Sequence, residues 1–235
     1  MNVHVYTTTR NEGYLMPYFL RHYETFADLI FVLDDDSTDG TRPMVERHSR
    51  GVLLDYPGKK GLDEVEIAEA YRSAVEVLSP NADWVMFPDV DEIVYHPYML
   101  TRLRQMQNWG VRAIKSVGYA MVSDRLPQGQ GQIYEEVKTG MRERRYDKTI
   151  VFNPKIDATF GNGRHSITTP RPEKLNRCGI KLLHYCYLGW PYIEARIKRN
   201  FARIPGATPE ALDYRLRRAK WGFRHRSKKD LQEVI

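Results

Sequence analysis

Residues 82–97, with the sequence ADWVMFPDVDEIVYHP, join an apolar run directly to a cluster of acids. Trp84 to Phe87 form a short apolar run of the kind that predicts a buried strand. Asp89, Asp91 and Glu92 follow it almost at once. Neighbouring carboxylates repel one another, and at least one takes up a proton unless a cation balances the charge. The stretch therefore predicts a strand that delivers carboxylates to a binding site.

The rest of the N-terminal half alternates apolar runs with helical periodicity. Helices are predicted at 13–26, 41–50 and 63–78, and strands at 3–8, 29–33, 52–54 and 84–87. Such alternation is typical of βαβ units and a mainly parallel sheet flanked by helices. Ligands of such sheets bind beyond the carboxyl ends of the strands. The polar segments at those ends, which we expect to share one crevice, are TTTRNEG (7–13), DDDSTDGT (34–41) and DVDE (89–92).

The pattern changes after about residue 103, and we place a soft boundary between two halves near residue 110. The stretch RLPQGQGQIYEE (125–136) predicts a loop. Further strands are predicted at 113–117, 119–122, 149–152 and 181–187, and helices at 190–201 and 209–221. We therefore expect an α/β, Rossmann-like single domain with a mainly parallel central sheet and a C-terminal helical and irregular region. Residues 1–110 and 111–235 are its two halves.

Length and composition favour a globular protein. The chain has 235 residues, 42% of them hydrophobic. No apolar run approaches the roughly 18 residues of a membrane span, and the N-terminus lacks a secretory pattern. We expect a cytoplasmic protein in which Cys178 and Cys186 are reduced.

The formal net charge of +6 is unevenly distributed along the chain. Acids are frequent in the first hundred residues, which suits a cation. Bases are frequent in the last forty, which suits a phosphate, an acidic glycan or an anionic membrane surface at the inner face of the membrane. Arg and Lys alternate there with Trp221 and Phe223, although a solvated basic helix is the simpler interpretation.

Asp89 and Asp91 are the candidate metal ligands. Alternate residues of an extended segment point the same way, so both carboxylates can share a face. A hard divalent ion such as Mg²⁺ or Mn²⁺ prefers such oxygen ligands and fills its other positions with phosphate oxygens and water. The alternative is a solvated acidic turn at a strand end.

The other two polar segments are candidates for nucleotide contacts. Asp34 and Asp35 stand where the base or ribose of a ligand is hydrogen-bonded, while Asp39 or Ser37 can instead cap the helix that begins near Thr41. In the first segment a cation lies beside a carboxamide and an acid, although Thr9 or Asn11 can also serve as a helix cap.

The three segments, extended to TTTRNEGYLMPYFLRHY, FVLDDDSTDGT and DWVMFPDVDEIV, resemble the successive signatures of a family 2 glycosyltransferase with the GT-A fold. The resemblance is to the branch with RNE near the start and DxDE after DW, and it covers about residues 3–96. It implies a donor sugar linked to UDP or GDP, a glycan or lipid-linked acceptor, and Mn²⁺ or Mg²⁺. By position, the residues that would line the nucleoside pocket are Thr9, Arg10, Asn11, Glu12, Asp34 and Asp35. Asp89 and Asp91 would hold the metal.

The second half supplies further candidates. In similar enzymes a histidine from this region completes the metal site or touches the diphosphate. We assign His165 to the metal, and Arg164, His184 and Lys148 to contacts with the diphosphate or acceptor. The alternative for each histidine is a packed, hydrogen-bonded imidazole, and for the lysine a surface cation.

The catalytic base is the least defined group. An inverting transferase needs a carboxylate to deprotonate the acceptor hydroxyl, and the family likeness favours inversion. The candidates are Asp124, which is favoured, and Asp157, with Glu135 and Glu136 behind them. A turn residue is the alternative for Asp124.

Two other functions compete with the transferase. In an Asp-dependent phosphohydrolase, Asp89 would be the nucleophile and Asp91 the acid or base, but the segment DDDSTDGT would then have no use. A nucleic-acid-binding protein would use the basic C-terminus, but the acidic N-terminal half disfavours it and no recognition module is evident. No nucleic-acid partner is therefore expected.

Overall fold

The computed structural model describes residues 1–58, 64–160, 167–168, 175–176, 179–204, 206–226 and 231–235. Its strands, in chain order, are β1 (Val3–Thr9), β2 (Leu29–Asp34), β3 (Gly51–Asp55), β4 (Trp84–Met86), β5 (Glu92–Tyr95), β6 (Ala113–Ile114), β7 (Val117–Ser123), β8 (Thr139–Arg142), β9 (Val151–Phe152), β10 (Thr159–Phe160), β11 (Ile167–Thr168), β12 (Leu175–Asn176), β13 (Lys181–Leu188) and β14 (Gln232–Glu233). Its helices are α1 (Met16–Tyr23), α2 (Thr41–Glu46), α3 (Glu64–Leu78), α4 (Met99–Asn108), α5 (Ile133–Glu136), α6 (Trp190–Phe201) and α7 (Pro209–Arg226), with a 3₁₀ turn at Arg144–Tyr146.

The central sheet has seven strands in the order β12-β6-β9-β4-β1-β2-β3. β1 pairs in parallel with β2 on one side and with β4 on the other, and β2 pairs in parallel with β3. Only β9 runs antiparallel to its neighbours in this sheet, as far as the chain is described. The predicted α/β fold with a mainly parallel central sheet is therefore confirmed.

A second sheet, of order β14-β8-β7-β13-β5, meets the first at the acidic cluster. β4 ends at Met86, and β5 begins at Glu92 in the other sheet, antiparallel to β13. The register places His184 opposite Glu92. The connection that carries Asp89 and Asp91 is thus the crossing between the sheets. Both sheets take strands from both sides of residue 110.

The structure differs from the predicted secondary structure at β5 and β8, which were not predicted, at α2, which ends at Glu46 rather than at residue 50, and at two further helices. The stretch 125–136, predicted as a loop, contains α5, because Gln132 and Glu135 form a capping box at its start. α4 was not predicted at all, because its sequence MLTRLRQMQN is mostly polar and buries only Met99, Leu103 and Met106. In the described part of the chain no helix is both long and apolar enough to cross a membrane.

Aromatic packing makes the central sheet a rigid base for its strand ends. Tyr6 stacks on Phe31 at 4.6 Å between ring centroids, and Phe87 stacks on Tyr71 at 4.5 Å. Phe152 meets Phe87 edge to face at 4.8 Å. Such pairs contribute about 0.5–1.5 kcal/mol each beyond the burial of their area. The polar loops that follow β1 and β2 therefore start from fixed positions.

His22 lies on α1 and is buried against β5, and it makes the free energy of unfolding depend on pH. Its Nε2 lies 3.0 Å from the carbonyl oxygen of Val94, and burial lowers its pKa to about 4 despite that hydrogen bond. The unfolded chain takes up this proton near pH 6.5, so the stabilisation is complete above pH 6.5 and is lost as the pH falls towards 4. We expect about 2 kcal/mol less stability at pH 5 than at pH 7 from this group.

The variant His22→Gln tests this expectation, because glutamine keeps a donor for Val94 but does not titrate. Urea unfolding at pH 7, 6 and 5 should show a smaller loss of stability in the variant than in the parent. Equal losses in both proteins would contradict the assignment. The comparison with the parent is needed because burial also lowers the pKa of His4.

Gly189 fixes the start of α6. Its φ is +74°, and a Cβ there would lie 3.0 Å from the carbonyl oxygen of Asp124. Gly110 has nearly the same φ, +69°, with open space around the position of a Cβ. Gly110→Ala should therefore cost about 1 kcal/mol for the backbone alone, and Gly189→Ala about 2 kcal/mol. Thermal unfolding of both variants checks this, and equal costs would show that the contact is harmless.

Candidate active site at the strand ends

The loops after β1 and β2 lie side by side. Thr9 pairs in register with Asp34, and the amide of Asp35 donates to the carbonyl oxygen of Thr9 at 2.8 Å. Asn11 and Asp36 both have a positive φ, 54° and 52°. Asn and Asp accept this conformation more readily than most residues, so it turns both loops over the edge of the sheet.

Hydrogen bonds from side chains lock these loops together. The amide of Asn11 donates to Ser37 Oγ at 2.8 Å, and Asn11 Oδ1 accepts from the amide of Thr38 at 2.7 Å. Asp39 accepts from the amides of Thr41, at 2.9 Å, and Gly13, at 3.0 Å. Asp39 therefore serves the start of α2, and the side-chain oxygen of Asn11 holds the loops in place.

Three arginines of α6 and the turn after it cover the acids at the strand ends. We call Arg196, Arg199 and Arg203 the arginine ladder; their spacing of three and four residues puts them on one face of the helix. The ion pairs are Arg196 with Asp91, Arg199 with Glu12, and Arg203 with Asp35. Arg10 adds a second cation, 3.7 Å from Asp35. Each of the three polar segments thus has one acid paired with an arginine of α6 or of the turn after it.

Asp91 is the most strongly coupled of these acids. Its side chain is 1% exposed, and its Oδ2 lies 2.8 Å from His184 Nε2 and in contact with Arg196. Burial alone would raise the pKa of Asp91, but the charges of Arg196 and His184 and their hydrogen bonds outweigh burial and hold that pKa well below its usual range. Burial by itself would lower the pKa of His184, but the charge of Asp91 and its hydrogen bond raise that pKa by more, so the net shift is upward. The resting pair is therefore a carboxylate and an imidazole that holds its proton to higher pH than usual.

Asp89 and Glu92 share one buried lysine. Lys148 Nζ lies 2.6 Å from Glu92 Oε1 and 3.2 Å from Asp89 Oδ2. The amide of Asp89 also donates to Glu92 Oε2 at 3.1 Å. Glu92 and Lys148 therefore position Asp89, whose side chain is more than a third exposed.

Three buried oxygens at the strand ends have no hydrogen-bond partner among the residues that the structure describes. They are Thr9 Oγ1, Asp34 Oδ1 and Asp91 Oδ1. The other oxygen of Asp34 is used, by Arg42 at 2.8 Å and by the amide of Ser37 at 2.9 Å. A buried polar atom without a partner costs roughly 1–3 kcal/mol, so each one calls for an explanation such as a bound water, an ion or a ligand. One ligand that reaches across the ends of β1, β2 and β4 can satisfy all three.

The donor set at Asp91 fits a divalent cation. Asp91 Oδ2 and His184 Nε2 are 2.8 Å apart across a hydrogen bond, so a divalent ion would have to replace the proton between them, and the two atoms would then lie close to the spacing of about 3 Å that neighbouring donors have at bonds of about 2.1 Å. No group of three or more His, Cys, Asp or Glu side chains is assembled among the described residues. Such ions commonly take one or two protein ligands, with phosphate oxygens and water as the rest. A cation at this position competes with Arg196 for the same carboxylate.

A cavity of about 950 Å³ opens from this point. Asp89, Asp91 and His184 line its inner end, and its walls come from β13, α6, α7 and the 3₁₀ turn. The predicted nucleoside residues of the loops after β1 and β2 are not among its lining residues. We call it the α6–α7 cavity.

The structure brings some predicted site residues together and leaves others apart. Thr9, Asp34, Asp35 and Glu12 lie at the strand ends, and His184 and Lys148 join Asp91 and Asp89. Asp124 and Asp157 are exposed, and neither lines the α6–α7 cavity. Arg164 and His165 lie outside the described residues, as does Cys178; Cys186 is a free thiol.

The arginine ladder and the role of Glu92 were not predicted from the sequence. The signal for the ladder was present, since the arginines of EARIKRNFARI recur at helical spacing. Their partners lie 105 to 187 residues away in sequence, so the spacing alone does not indicate what they bind.

Comparison with known proteins gives structural likenesses only. No family model matches the chain, and none of the curated proteins does. Glucosyl-3-phosphoglycerate synthase from Mycobacterium tuberculosis, solved with Mn²⁺, UDP and glucosyl-3-phosphoglycerate, is similar at 22% identity over 50% of this chain and 44% of that one, with a TM-score of 0.39. TarS of S. aureus is similar at 14% identity over 96% of this chain and 43% of that one, with a TM-score of 0.48.

The matched part is less than half the length of either protein. At such identities and TM-scores these likenesses do not establish an activity for this chain. The assignment of function has to come from its own residues.

Proposed function

We propose that this protein is a metal-dependent glycosyltransferase of the GT-A type that moves a sugar from a nucleoside diphosphate to a glycan or lipid-linked acceptor. The proposal depends on the groups that meet at one edge of the central sheet. A buried carboxylate–imidazole pair, Asp91 and His184, lies beside two loops whose buried oxygens lack partners. A nucleoside diphosphate with a divalent cation has the shape and the chemistry to satisfy that set.

Each part of the site then has a role. Thr9, Asp34 and Asp35 bind the nucleoside, with Arg10 and Glu12 beside them. Asp91 and Asp89, with His184 once it has lost its proton, would hold Mn²⁺ or Mg²⁺, and His165 stays a predicted further ligand. The bound ion supplies stabilisation of the negative charge that grows on the departing diphosphate. Arg196, which pairs with Asp91 here, would have to give up that carboxylate to a bound ion, and its guanidinium group would then be available to the phosphates, the role predicted for Lys148 and Arg164.

The acceptor enters from the α6–α7 cavity, because that cavity reaches Asp91 and leads away from the nucleoside loops. For the base, Asp124 and Asp157 stay predictions. An inverting course is tested by the anomeric configuration of the product in proton NMR. Loss of transfer in Asp124→Asn or Asp157→Asn, with donor binding retained, would identify the base.

A thermal-shift series tests the function directly. UDP, GDP and AMP are each added with and without Mn²⁺; UDP is the first probe because it is present with Mn²⁺ in the M. tuberculosis structure. A ligand at one hundred times its Kd stabilises the fold by about 2.7 kcal/mol. We expect UDP or GDP to raise the melting temperature only with metal, and AMP to have no such effect. A shift of the same size without metal would refute the proposed site.

A phosphatase assay tests the alternative function, an Asp-dependent phosphohydrolase. In such an enzyme Asp89 is the nucleophile, but here Lys148 and the crossing between the sheets hold it. We expect no release of phosphate from p-nitrophenyl phosphate with Mg²⁺. Turnover that disappears in Asp89→Asn would favour the hydrolase.

A further inference from the structure

The walls of the α6–α7 cavity carry an excess of positive charge. Its described lining residues include two aspartates, Asp89 and Asp91, at the inner end. They also include five arginines, namely Arg145, Arg196, Arg215, Arg218 and Arg226. In a cleft lined by one sign of charge, the charges reinforce one another and raise the local concentration of anions.

Most of these arginines already have a carboxylate partner. Arg196 pairs with Asp91, and Glu143 pairs with both Arg145, at 2.8 Å, and Arg226, at 3.4 Å. Arg215 and Arg218 differ. Within the described part of the chain neither lies within ion-pair distance of a carboxylate, and the guanidinium carbon of Arg215 lies 5.4 Å from the ring centre of Phe201. Their charges are therefore available to a ligand.

The same walls contain surface for a ring or a carbon chain. Tyr146, Tyr187 and Tyr214 line the cavity together with Ile193 and Ile197. Aromatic and aliphatic walls with a few convergent polar groups are typical of sites for small organic ligands. The volume of about 950 Å³ is at the upper end of the usual range for such sites.

We propose that the acceptor of this enzyme carries an anionic group, a phosphate or a carboxylate, which Arg215 and Arg218 of α7 bind. This inference rests on the proposed function, because it takes the inner end of the cavity as the place where the sugar is transferred. Guanidinium groups recognise both anions through paired N–H donors. The anion is held at α7, and the acceptor hydroxyl reaches inwards past the tyrosines to Asp91. The basic face of α7 thus binds substrate in addition to being solvated.

Binding of matched sugars tests the proposal. Glucose, glucuronate and glucose 6-phosphate are titrated by saturation-transfer NMR and calorimetry into the protein with saturating UDP and Mn²⁺, so that the diphosphate site is already filled. We expect the two anionic sugars to bind and neutral glucose not to. Arg215→Gln and Arg218→Gln should each weaken that binding about tenfold. Arg217→Gln is the matched control, because Arg217 lies on the same helix, is 75% exposed, pairs with Asp213 and does not line the cavity.

A second arm distinguishes a soluble acceptor from a lipid-linked one. Vesicles of phosphatidylcholine, with and without phosphatidylglycerol, are sedimented with the protein in the presence and absence of glucose 6-phosphate. Sedimentation that needs Arg215 and Arg218 and is reversed by glucose 6-phosphate indicates a lipid-borne phosphate. Binding of the sugar phosphate without sedimentation indicates a soluble acceptor. Either result supports an anionic acceptor.

The anionic acceptor and the transferase function can be refuted separately. Equal binding of glucose and glucose 6-phosphate would refute the anionic acceptor, and so would unchanged binding in Arg215→Gln and Arg218→Gln. If UDP still raised the melting temperature only with metal, the proposed transferase function would stand. Absence of that UDP shift, with anion binding that still needs both arginines, would refute the transferase and leave an anion site.

Discussion

Asp91→Asn is expected to lower the free energy of unfolding by about 3 kcal/mol and to abolish the metal-dependent thermal shift with UDP. The substitution keeps the shape of the side chain but removes the charge that pairs with both Arg196 and His184. Breaking a buried ion pair on one side costs roughly 3–5 kcal/mol, because the remaining charge stays buried without compensation. The side chain of Arg196 is 22% exposed, which places the cost at the lower end of that range.

A double-mutant cycle separates the loss of the ion pair from other effects. Arg196→Gln alone should also destabilise the protein, and Asp91→Asn combined with Arg196→Gln should be more stable than the sum of the two changes indicates. Urea unfolding at pH 7 measures all four proteins. Additive costs would show that the two groups do not interact. Retention of the UDP shift in Asp91→Asn would remove Asp91 from the proposed metal site.

Lys148→Met should have the second-largest effect, also about 3 kcal/mol of stability. The side chain of Lys148 is 6% exposed and that of Glu92 is completely buried. Methionine fills a similar volume but leaves Glu92 without its nearest cation. Asp89 loses the same partner, so its orientation towards the cavity is no longer fixed, and we expect a weaker UDP shift with Mn²⁺.

The second substitution Glu92→Gln should restore most of that stability, because the uncompensated charge is then gone. Lys155→Met provides a control for the loss of a lysine, since Lys155 is exposed. Unfolding monitored by circular dichroism compares the variants. If Lys148→Met were as stable as Lys155→Met, the buried position of the ammonium group would have to be wrong.

Much of the central sheet was predictable because its strands are short apolar runs that end in polar segments. β1, β2 and β4 begin and end within a few residues of the predicted positions, and the order of the polar segments indicated the shared edge. Asp34, Asp89 and Asp91 were predicted at this edge for this reason. The fold class followed from local patterns that the tertiary structure did not override.

The second sheet and the cover over the site were not predictable in the same way. The run Glu92–Tyr95 gives no sign that it leaves one sheet for another, because that choice depends on pairing with β13 almost ninety positions later. Arg199 and Glu12 meet across 187 positions. Periodicity shows which side chains share a helix face, but not which distant surface that face meets.

The arginine ladder fastens one wall of the α6–α7 cavity to the ends of three strands. In the proposed transferase, a nucleoside diphosphate and its cation gain access to Asp91, Glu12 and Asp35 by breaking their ion pairs with Arg196, Arg199 and Arg203, so the ligand that binds first bears the cost of breaking all three. The acceptor, which binds second, does not bear this cost, because the donor has already broken the ion pairs. We therefore expect a compulsory order in steady-state kinetics, with donor before acceptor, and the nucleoside diphosphate product acting as a competitive inhibitor towards the donor.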